Sequence, residues 1–141
     1  MTNVALVARK LAVLEEHLRR LRERRPAEVA TFTADALLQD AVAMSVLVVV
    51  QEAMDIALHI ATDEGWELAA TYRDAFAVLE RHGVIAAPLA KALGGSAQLR
   101  NRIAHGYASL DAARLWTELP DGVTAFGAFA AAVSAFLQRG A

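Results

Sequence analysis

The sequence predicts an all-α protein, an antiparallel four-helix bundle with short additional helices, and three observations lead to that class. Apolar residues recur every three or four positions over most of the 141 residues, which is the period of an amphipathic helix. No run alternates with the period of two that marks a half-buried strand. The connections between the helical patterns are short, which favours up-and-down neighbours. The length suits a single helical domain over residues 1–141.

The first helix is predicted from Asn3 to about Arg24, and its apolar positions form one stripe. They are Val4, Leu6, Val7, Leu11, Leu14, Leu18 and Leu21. Arginines suit the negative end of a helix, and proline forbids its continuation. Arg24, Arg25 and Pro26 therefore mark its end.

The second helix is predicted to begin at Thr33 as N-cap and to continue to about Asp63. It contains the most apolar stretch of the chain, residues 41–50, which is too short to span a bilayer and is soon followed by charged residues. We therefore expect the buried middle of a bundle helix. The third helix is predicted from Thr71, whose hydroxyl can cap its start, to Gly83, a residue type that commonly follows a helix.

The fourth helix is predicted from Pro88, a favourable first-turn residue, to His105. The two glycines at residues 94–95 are a weak point where this helix can kink. Residues 111–119 are predicted to form a short helix capped by the aspartate at its start. Residues 120–137 are predicted to form a last helix, opened or kinked by its initial proline.

Composition and charge exclude several classes of protein. The chain carries 14 Lys and Arg against 16 Asp and Glu, a net charge of -2, so it does not coat nucleic acid through bulk electrostatics and any RNA contact has to be local. The chain has no cysteine, which excludes disulfides and cysteine-based metal sites. Asp55 and His59 provide only two metal ligands, so no metal and no cofactor are predicted.

Hydrophobic residues make up 56% of the chain, and this surplus of aliphatic side chains predicts an apolar surface that a partner covers. No charged segment followed by an apolar one stands at the N-terminus, so a cytoplasmic location without membrane attachment is expected. Five of the 14 basic residues lie in residues 19–25. This run either grips an RNA backbone or an acidic partner, or is the solvated end of the first helix.

The residues best suited to chemistry lie at the end of the fourth predicted helix, in residues 100–107. Asn101 and His105 are four residues apart and share a face, so the amide can orient the imidazole. Arg100 lies about 140° from His105 around the helix axis, so its side chain has to curl to reach the ring. A neutral histidine can take a proton from a hydroxyl, and a guanidinium suits a phosphate. The structural alternative is that His105 caps the helix while Arg100 lies on the surface.

Three segments of the chain resemble one known family, in the right order. Residues 100–107, R-N-R-I-A-H-G-Y, resemble the R-N-x3-H-x-Y signature of the HepT-like ribonuclease toxins, which have the HEPN fold and belong to toxin–antitoxin pairs of the MntA/HepT type. Residues 52–57, E-A-M-D-I-A, resemble the family's E-A-x-D-I-A helix. Residues 71–76, T-Y-R-D-A-F, resemble its S/T-Y-R-E/D-x-F segment. The resemblance covers about residues 34–138.

The resemblance implies the toxin of a type VII toxin–antitoxin pair. It assigns Arg100 and His105 as the catalytic pair of a metal-independent endoribonuclease, with Asn101 in support and tRNA among the candidate substrates. His105 would act as base on an RNA 2′-hydroxyl or as acid on the leaving 5′-oxygen, while Arg100 stabilises the phosphorane. The products would be a 2′,3′-cyclic phosphate and a 5′-hydroxyl. Since one motif supplies one histidine, a homodimer or higher oligomer with a shared cleft would supply both acid and base.

The resemblance gives Tyr107 a separate role. In HepT-like pairs the cognate minimal nucleotidyltransferase, the antitoxin, attaches AMP to the tyrosine of the H-x-Y segment. The added phosphate beside Arg100 would exclude the RNA phosphate. The alternative is that Tyr107 finishes the helix against the bundle. Arg102 adds a cation to the motif and contacts either the RNA backbone or solvent.

Glu52 and Asp55 lie three residues apart within the apolar second helix and can share a face. A buried carboxylate favours a guanidinium partner, so one interpretation is that they orient Arg100 or Arg73. The other interpretation is an ion pair within the bundle or a contact to the start of the third helix.

Two other functions compete with the ribonuclease. One is a non-catalytic HEPN module that assists a nucleotidyltransferase by binding nucleotide or substrate, and it predicts that RNA stays intact while nucleotide or partner raises thermal stability. The other is a purely structural dimerisation bundle, in which replacements in residues 100–105 would be tolerated.

Overall fold

The computed structural model describes residues 1–106 and 110–140, and within them the chain forms helices and no strand. The helices are α1 (Val4–Arg24), α2 (Val29–Thr33), α3 (Ala36–Asp63), α4 (Tyr72–Arg81), α5 (Ala87–His105) and α6 (Ala112–Arg139). The predicted all-α class is confirmed.

The central helix of the bundle is α3, which packs against each of the other helices of the described residues. Its neighbour α1 runs antiparallel to it, because the start of α1 meets the end of α3. There the terminal ammonium of Met1 donates to the Asp63 carbonyl at 2.8 Å, and the Thr2 hydroxyl donates to Glu64 at 2.8 Å. Among the described residues, α3 and α6 are long and apolar enough to cross a bilayer by length and composition alone, with 56% and 28% of their most apolar windows buried in the bundle.

Large apolar side chains from different helices meet in the core of the bundle. Phe76 on α4 meets Phe129 on α6 edge to face, with ring centroids 5.8 Å apart. Phe32 anchors the short helix α2, which the sequence did not predict, and is fully buried. A five-residue helix has too few turns to show a hydrophobic period, so only its tertiary packing reveals it.

The start of α3 lies slightly later than predicted. Thr33 does not cap this helix, because its hydroxyl donates to the Ala30 carbonyl within α2 at 3.3 Å. Asp35 is the N-cap instead, and its carboxylate accepts the N–H of Leu38 at 3.0 Å. The prediction for α4 is confirmed: the Thr71 hydroxyl accepts the Asp74 N–H at 3.1 Å.

Two predicted weak points lie inside continuous helices in the structure. Helix α5 continues through Gly94 and Gly95, and the side chain of Arg73 packs on Gly94 so closely that a Cβ there would lie 3.3 Å from Arg73 Cγ. Residues 112–139 form the single helix α6 with Pro120 inside it. The prediction of two separate helices in this region is therefore wrong.

Helix α6 tolerates Pro120 because a distant arginine replaces the missing hydrogen bond. Proline has no N–H, so the Trp116 carbonyl one turn earlier loses its helical donor. Arg25 Nε donates to that carbonyl at 3.0 Å, and its guanidinium lies 3.8 Å from the centre of the Trp116 ring. The Trp116 indole N–H in turn donates to the Pro26 carbonyl at 2.8 Å. The end of α1 thereby supports the middle of α6.

Candidate active site

The predicted catalytic arginine lines an open groove between α3 and α5. Arg100 is half-buried, and its Nη1 donates to Asn101 Oδ1 at 3.3 Å. The groove has a volume of about 300 Å³, and its lining residues are Leu47, Val48, Gln51, Glu52, Arg100 and Ala104. A guanidinium on an apolar wall that opens to solvent is accessible to a phosphate group.

His105 is the last residue of α5 and is exposed. It does not line the groove that holds Arg100. Asn101, expected to orient the imidazole, accepts from Arg100 instead. Within one chain, the described residues therefore place the arginine and the histidine at the same end of α5 but on different sides of it.

The other cation of the motif, Arg102, is held by an acidic residue. Its Nη2 donates to Glu118 Oε2 on α6 at 3.1 Å, and Arg114 Nε donates to the other oxygen of the same carboxylate at 2.7 Å. Arg102 thus contacts protein where the sequence left RNA or solvent as alternatives. Tyr107, the predicted site of modification, lies outside the described residues.

Glu52 and Asp55 share a cation that the sequence did not identify. Lys10 Nζ on α1 lies 3.7 Å from Glu52 Oε2 and 3.5 Å from Asp55 Oδ2. Gln51 Nε2 also donates to Asp55 at 3.0 Å. This is the ion pair within the bundle, whereas Arg73 packs on α5 instead of pairing with these carboxylates.

Glu52 also faces the candidate site. Its Oε2 is buried and has no hydrogen-bond donor, although Lys10 lies nearby, and the residue lines the groove together with Arg100. A buried carboxylate oxygen without a donor is unfavourable. Lys10, at 3.7 Å, is the cation that compensates this oxygen, so Glu52 connects the wall of the groove to α1.

Two of the five arginines in the basic run at the end of α1 form local ion pairs. Arg19 pairs with Glu16 and Glu23, and Arg20 pairs with Glu16. The hydrogen bond from Arg19 lowers the pKa of Glu16 to about 2. For Arg19 and Arg20 these contacts favour the interpretation as a solvated helix end, whereas Arg25 contacts Trp116 on α6.

A histidine outside the motif is partly inside the bundle. His17 Nδ1 lies 3.0 Å from the hydroxyl of the buried Ser45. Burial, followed by the charge of Arg20, lowers the pKa of His17 below its ordinary value. Among residues 1–106 and 110–140, no group of three or more His, Asp and Glu side chains could hold a metal ion.

A helical bundle whose R-N-x3-H motif ends one long helix beside an open groove is the architecture expected of a HEPN domain. The sequence model of the Ribonuclease HepT-like family matches residues 14–133, and the chain belongs to that family. None of the curated proteins matches the chain.

Solved structures share this fold over nearly the whole chain. A tri-AMPylated HEPN toxin from Shewanella oneidensis, in complex with an MNT antitoxin, is 24% identical, with 96% of this chain and 99% of that chain covered and a TM-score of 0.84. A chain of the MntA-HpeT toxin–antitoxin complex, in a tyrosine-to-alanine mutant, is 23% identical over 92% and 98% of the two chains, with a TM-score of 0.83. YutE from Bacillus subtilis, a cytosolic protein of unknown function, is 14% identical over 98% and 92%, with a TM-score of 0.84.

Proposed function

We propose that this protein is the toxin of a type VII toxin–antitoxin pair and a metal-independent endoribonuclease that acts through Arg100 and His105. Membership of the Ribonuclease HepT-like family supports the class of enzyme. The observation that carries the proposal is that solvent reaches both groups at one end of α5. Arg100 lies in an open groove and His105 is exposed at the last helical residue, so one extended RNA strand can reach both.

The chemistry needs two proton transfers and one site of charge stabilisation. A neutral His105 takes the proton of a 2′-hydroxyl while that oxygen attacks the adjacent phosphorus. Arg100 stabilises the negative charge that grows on the phosphorane oxygens. The bond from phosphorus to the 5′-oxygen then breaks, and a protonated His105 donates its proton to that oxygen. The products are a 2′,3′-cyclic phosphate and a 5′-hydroxyl, and no other reactant is required.

A homodimer supplies the second histidine, because one chain carries one motif. The surface beside the groove suits a second copy. Leu37 and Met44 are 81% and 59% exposed on the outward face of α3, and Val48 continues this face into the groove. Covering such an apolar strip on both copies favours association and brings two motifs to one cleft.

Neighbouring residues position the catalytic pair. Asn101 supports Arg100 by accepting its Nη1. Glu52 lies on the opposite wall of the groove, and Asp55 holds Lys10, the cation shared with Glu52. The side chain of Arg73 packs on Gly94, in the middle of the helix α5 that carries both catalytic residues.

Neutralisation follows from a change of charge beside Arg100. We propose that a minimal nucleotidyltransferase partner attaches AMP to Tyr107. The added phosphodiester then competes with RNA for binding to Arg100. The similar toxin from Shewanella oneidensis supports this, because that protein is tri-AMPylated and bound to an MNT antitoxin.

The test of catalysis is cleavage of 5′-labelled RNA by the purified full chain in excess EDTA. We expect wild-type protein to produce 2′,3′-cyclic phosphate ends, and His105→Ala and Arg100→Ala to reduce the rate by about 10²-fold or more. Lys91→Ala is the matched control, because Lys91 is an exposed cation on the same helix. Unchanged cleavage by His105→Ala would contradict the proposal, and intact RNA with the wild type would favour the non-catalytic module.

The test of neutralisation is intact mass after incubation with the partner enzyme and ATP. We expect wild-type protein to gain AMP and lose cleavage, and Tyr107→Phe to gain no AMP and to keep cleaving. Modification of Tyr107→Phe to the same extent would place the acceptor elsewhere.

A further inference from the structure

A second cavity lies across α5 from the Arg100 groove, between the end of α5 and the start of α6, with a volume of about 200 Å³. We call it the α5–α6 pocket. Its apolar wall consists of leucines and its rim is charged. The lining residues are Leu99, Arg102, Gly106, Leu110, Asp111, Arg114, Leu115 and Glu118. A small cavity with one apolar wall and a few polar groups suits a single small ligand.

The rim of the α5–α6 pocket contains two guanidiniums held by one carboxylate. Arg102 and Arg114 donate to different oxygens of Glu118, at 3.1 and 2.7 Å. Their side chains are 39% and 55% exposed, so an incoming ligand can reach them. Asp111 is already engaged, since its carboxylate caps α6 by accepting the Arg114 N–H at 3.1 Å. Glu118 therefore orients two planar donors and is the group that an anion would replace between them.

The α5–α6 pocket adjoins the proposed catalytic histidine. Arg102 precedes His105 by three residues, so the two lie about 60° apart around the helix axis. Gly106, the residue after His105, lines the pocket. A ligand in this pocket consequently lies near the backbone that follows His105, on the side of α5 away from Arg100, while His105 itself does not line the pocket.

We propose that the α5–α6 pocket binds one nucleoside monophosphate unit. Its base or ribose lies against Leu99 and Leu115. Its phosphate replaces the Glu118 carboxylate as the hydrogen-bond acceptor of Arg102 and Arg114. The main source of that unit is the RNA nucleotide next to the cleaved linkage, and in this respect the inference rests on the proposed function. Free AMP has the same chemistry.

Binding by the full-length protein tests this separately from cleavage. The probes are AMP alone and an oligoribonucleotide with 2′-O-methyl groups, which has no 2′-hydroxyl to attack and stays intact. We expect Arg114→Ala to weaken binding by about three- to tenfold. We expect Glu118→Gln to strengthen it by a similar factor, because this change keeps an acceptor for the arginines but removes the competing charge.

The controls separate this proposal from the proposed function. Arg139→Ala, at an exposed cation on the same helix, should bind both probes as the wild type does. His105→Ala should lose cleavage yet bind the oligonucleotide. Cleavage by His105→Ala therefore tests the proposed function, and binding by the pocket variants tests the pocket. Opposite responses of Arg114→Ala and Glu118→Gln with either probe support the pocket, and the probe that responds identifies the source. Unchanged binding in Arg114→Ala with both probes, or weaker binding in Glu118→Gln, would overturn it.

Discussion

Replacing Arg25 with alanine tests how α6 continues through Pro120. The change leaves the Trp116 carbonyl without a donor, at a cost of about 1–3 kcal/mol for a fully buried group. It also removes a cation–π contact worth about 0.5–1 kcal/mol. The hydrogen bond is only partly buried, so water partly replaces the guanidinium. We expect the free energy of unfolding to fall by about 1.5–2 kcal/mol, and the Tm by about 5 °C for a domain of this size.

A second variant isolates the hydrogen bond from the ring contact. Pro120→Ala restores a backbone N–H to the Trp116 carbonyl, so in that background Arg25→Ala should cost only the cation–π contact, about 0.5–1 kcal/mol. The coupling between the two substitutions is then about 1 kcal/mol.

Urea unfolding followed by circular dichroism measures all four proteins of this cycle. The dependence of the unfolding free energy on urea should stay the same, because the change in exposed surface is small. Arg24→Ala is the control, since Arg24 is an exposed arginine one position earlier, and we expect a change within about 0.5 kcal/mol. Equal costs of Arg25→Ala with and without Pro120 would refute the account of the replaced hydrogen bond.

Two further predictions concern helix α5 and the loop before α4. Gly95→Ala should stabilise the protein by about 0.5–1 kcal/mol, because a Cβ at Gly95 meets nothing within 4 Å. Gly94→Ala should stabilise it less, because a Cβ there lies close to Arg73. Thermal unfolding that shows a loss of stability in Gly95→Ala would contradict a continuous α5. The pKa of Glu67 is lowered to about 2, chiefly by its hydrogen bond with His82, so its contribution to stability is present above the ordinary pKa of 4.5 and is lost as the pH falls towards 2. Glu67→Gln should therefore lose less Tm than the wild type between pH 5 and about 2, and an equal loss in the two proteins would contradict this account.

The sequence predicted what depends on neighbours along the chain. Periodic leucines place the buried face of α1, and the caps Thr71 and Asp111 are confirmed by their hydrogen bonds. These features need only residues within one turn, so a local pattern is sufficient to predict them.

What the sequence missed depends on residues far apart in the chain. Lys10 pairs with carboxylates more than 40 positions away, and Arg25 supports a carbonyl 91 positions away. The prediction of a helix break at Pro120 was wrong because the compensating donor comes from the end of α1. Arg114 and Glu118 are four residues apart, which is the spacing of a helical ion pair, so this part of the α5–α6 pocket is predictable from the sequence alone.

The spacing within the motif explains how one helix end can serve two cavities. Arg100 and Arg102 are two residues apart and so lie about 200° apart around α5, which directs one to the groove beside α3 and the other to the pocket beside α6. Asn101 and His105 fall between them on the exposed side, about 100° and 140° from Arg100. The five-residue interval is long for a direct contact between Arg100 and His105. In the proposed function, an RNA strand crosses the helix end with one phosphate near each arginine and the imidazole between them.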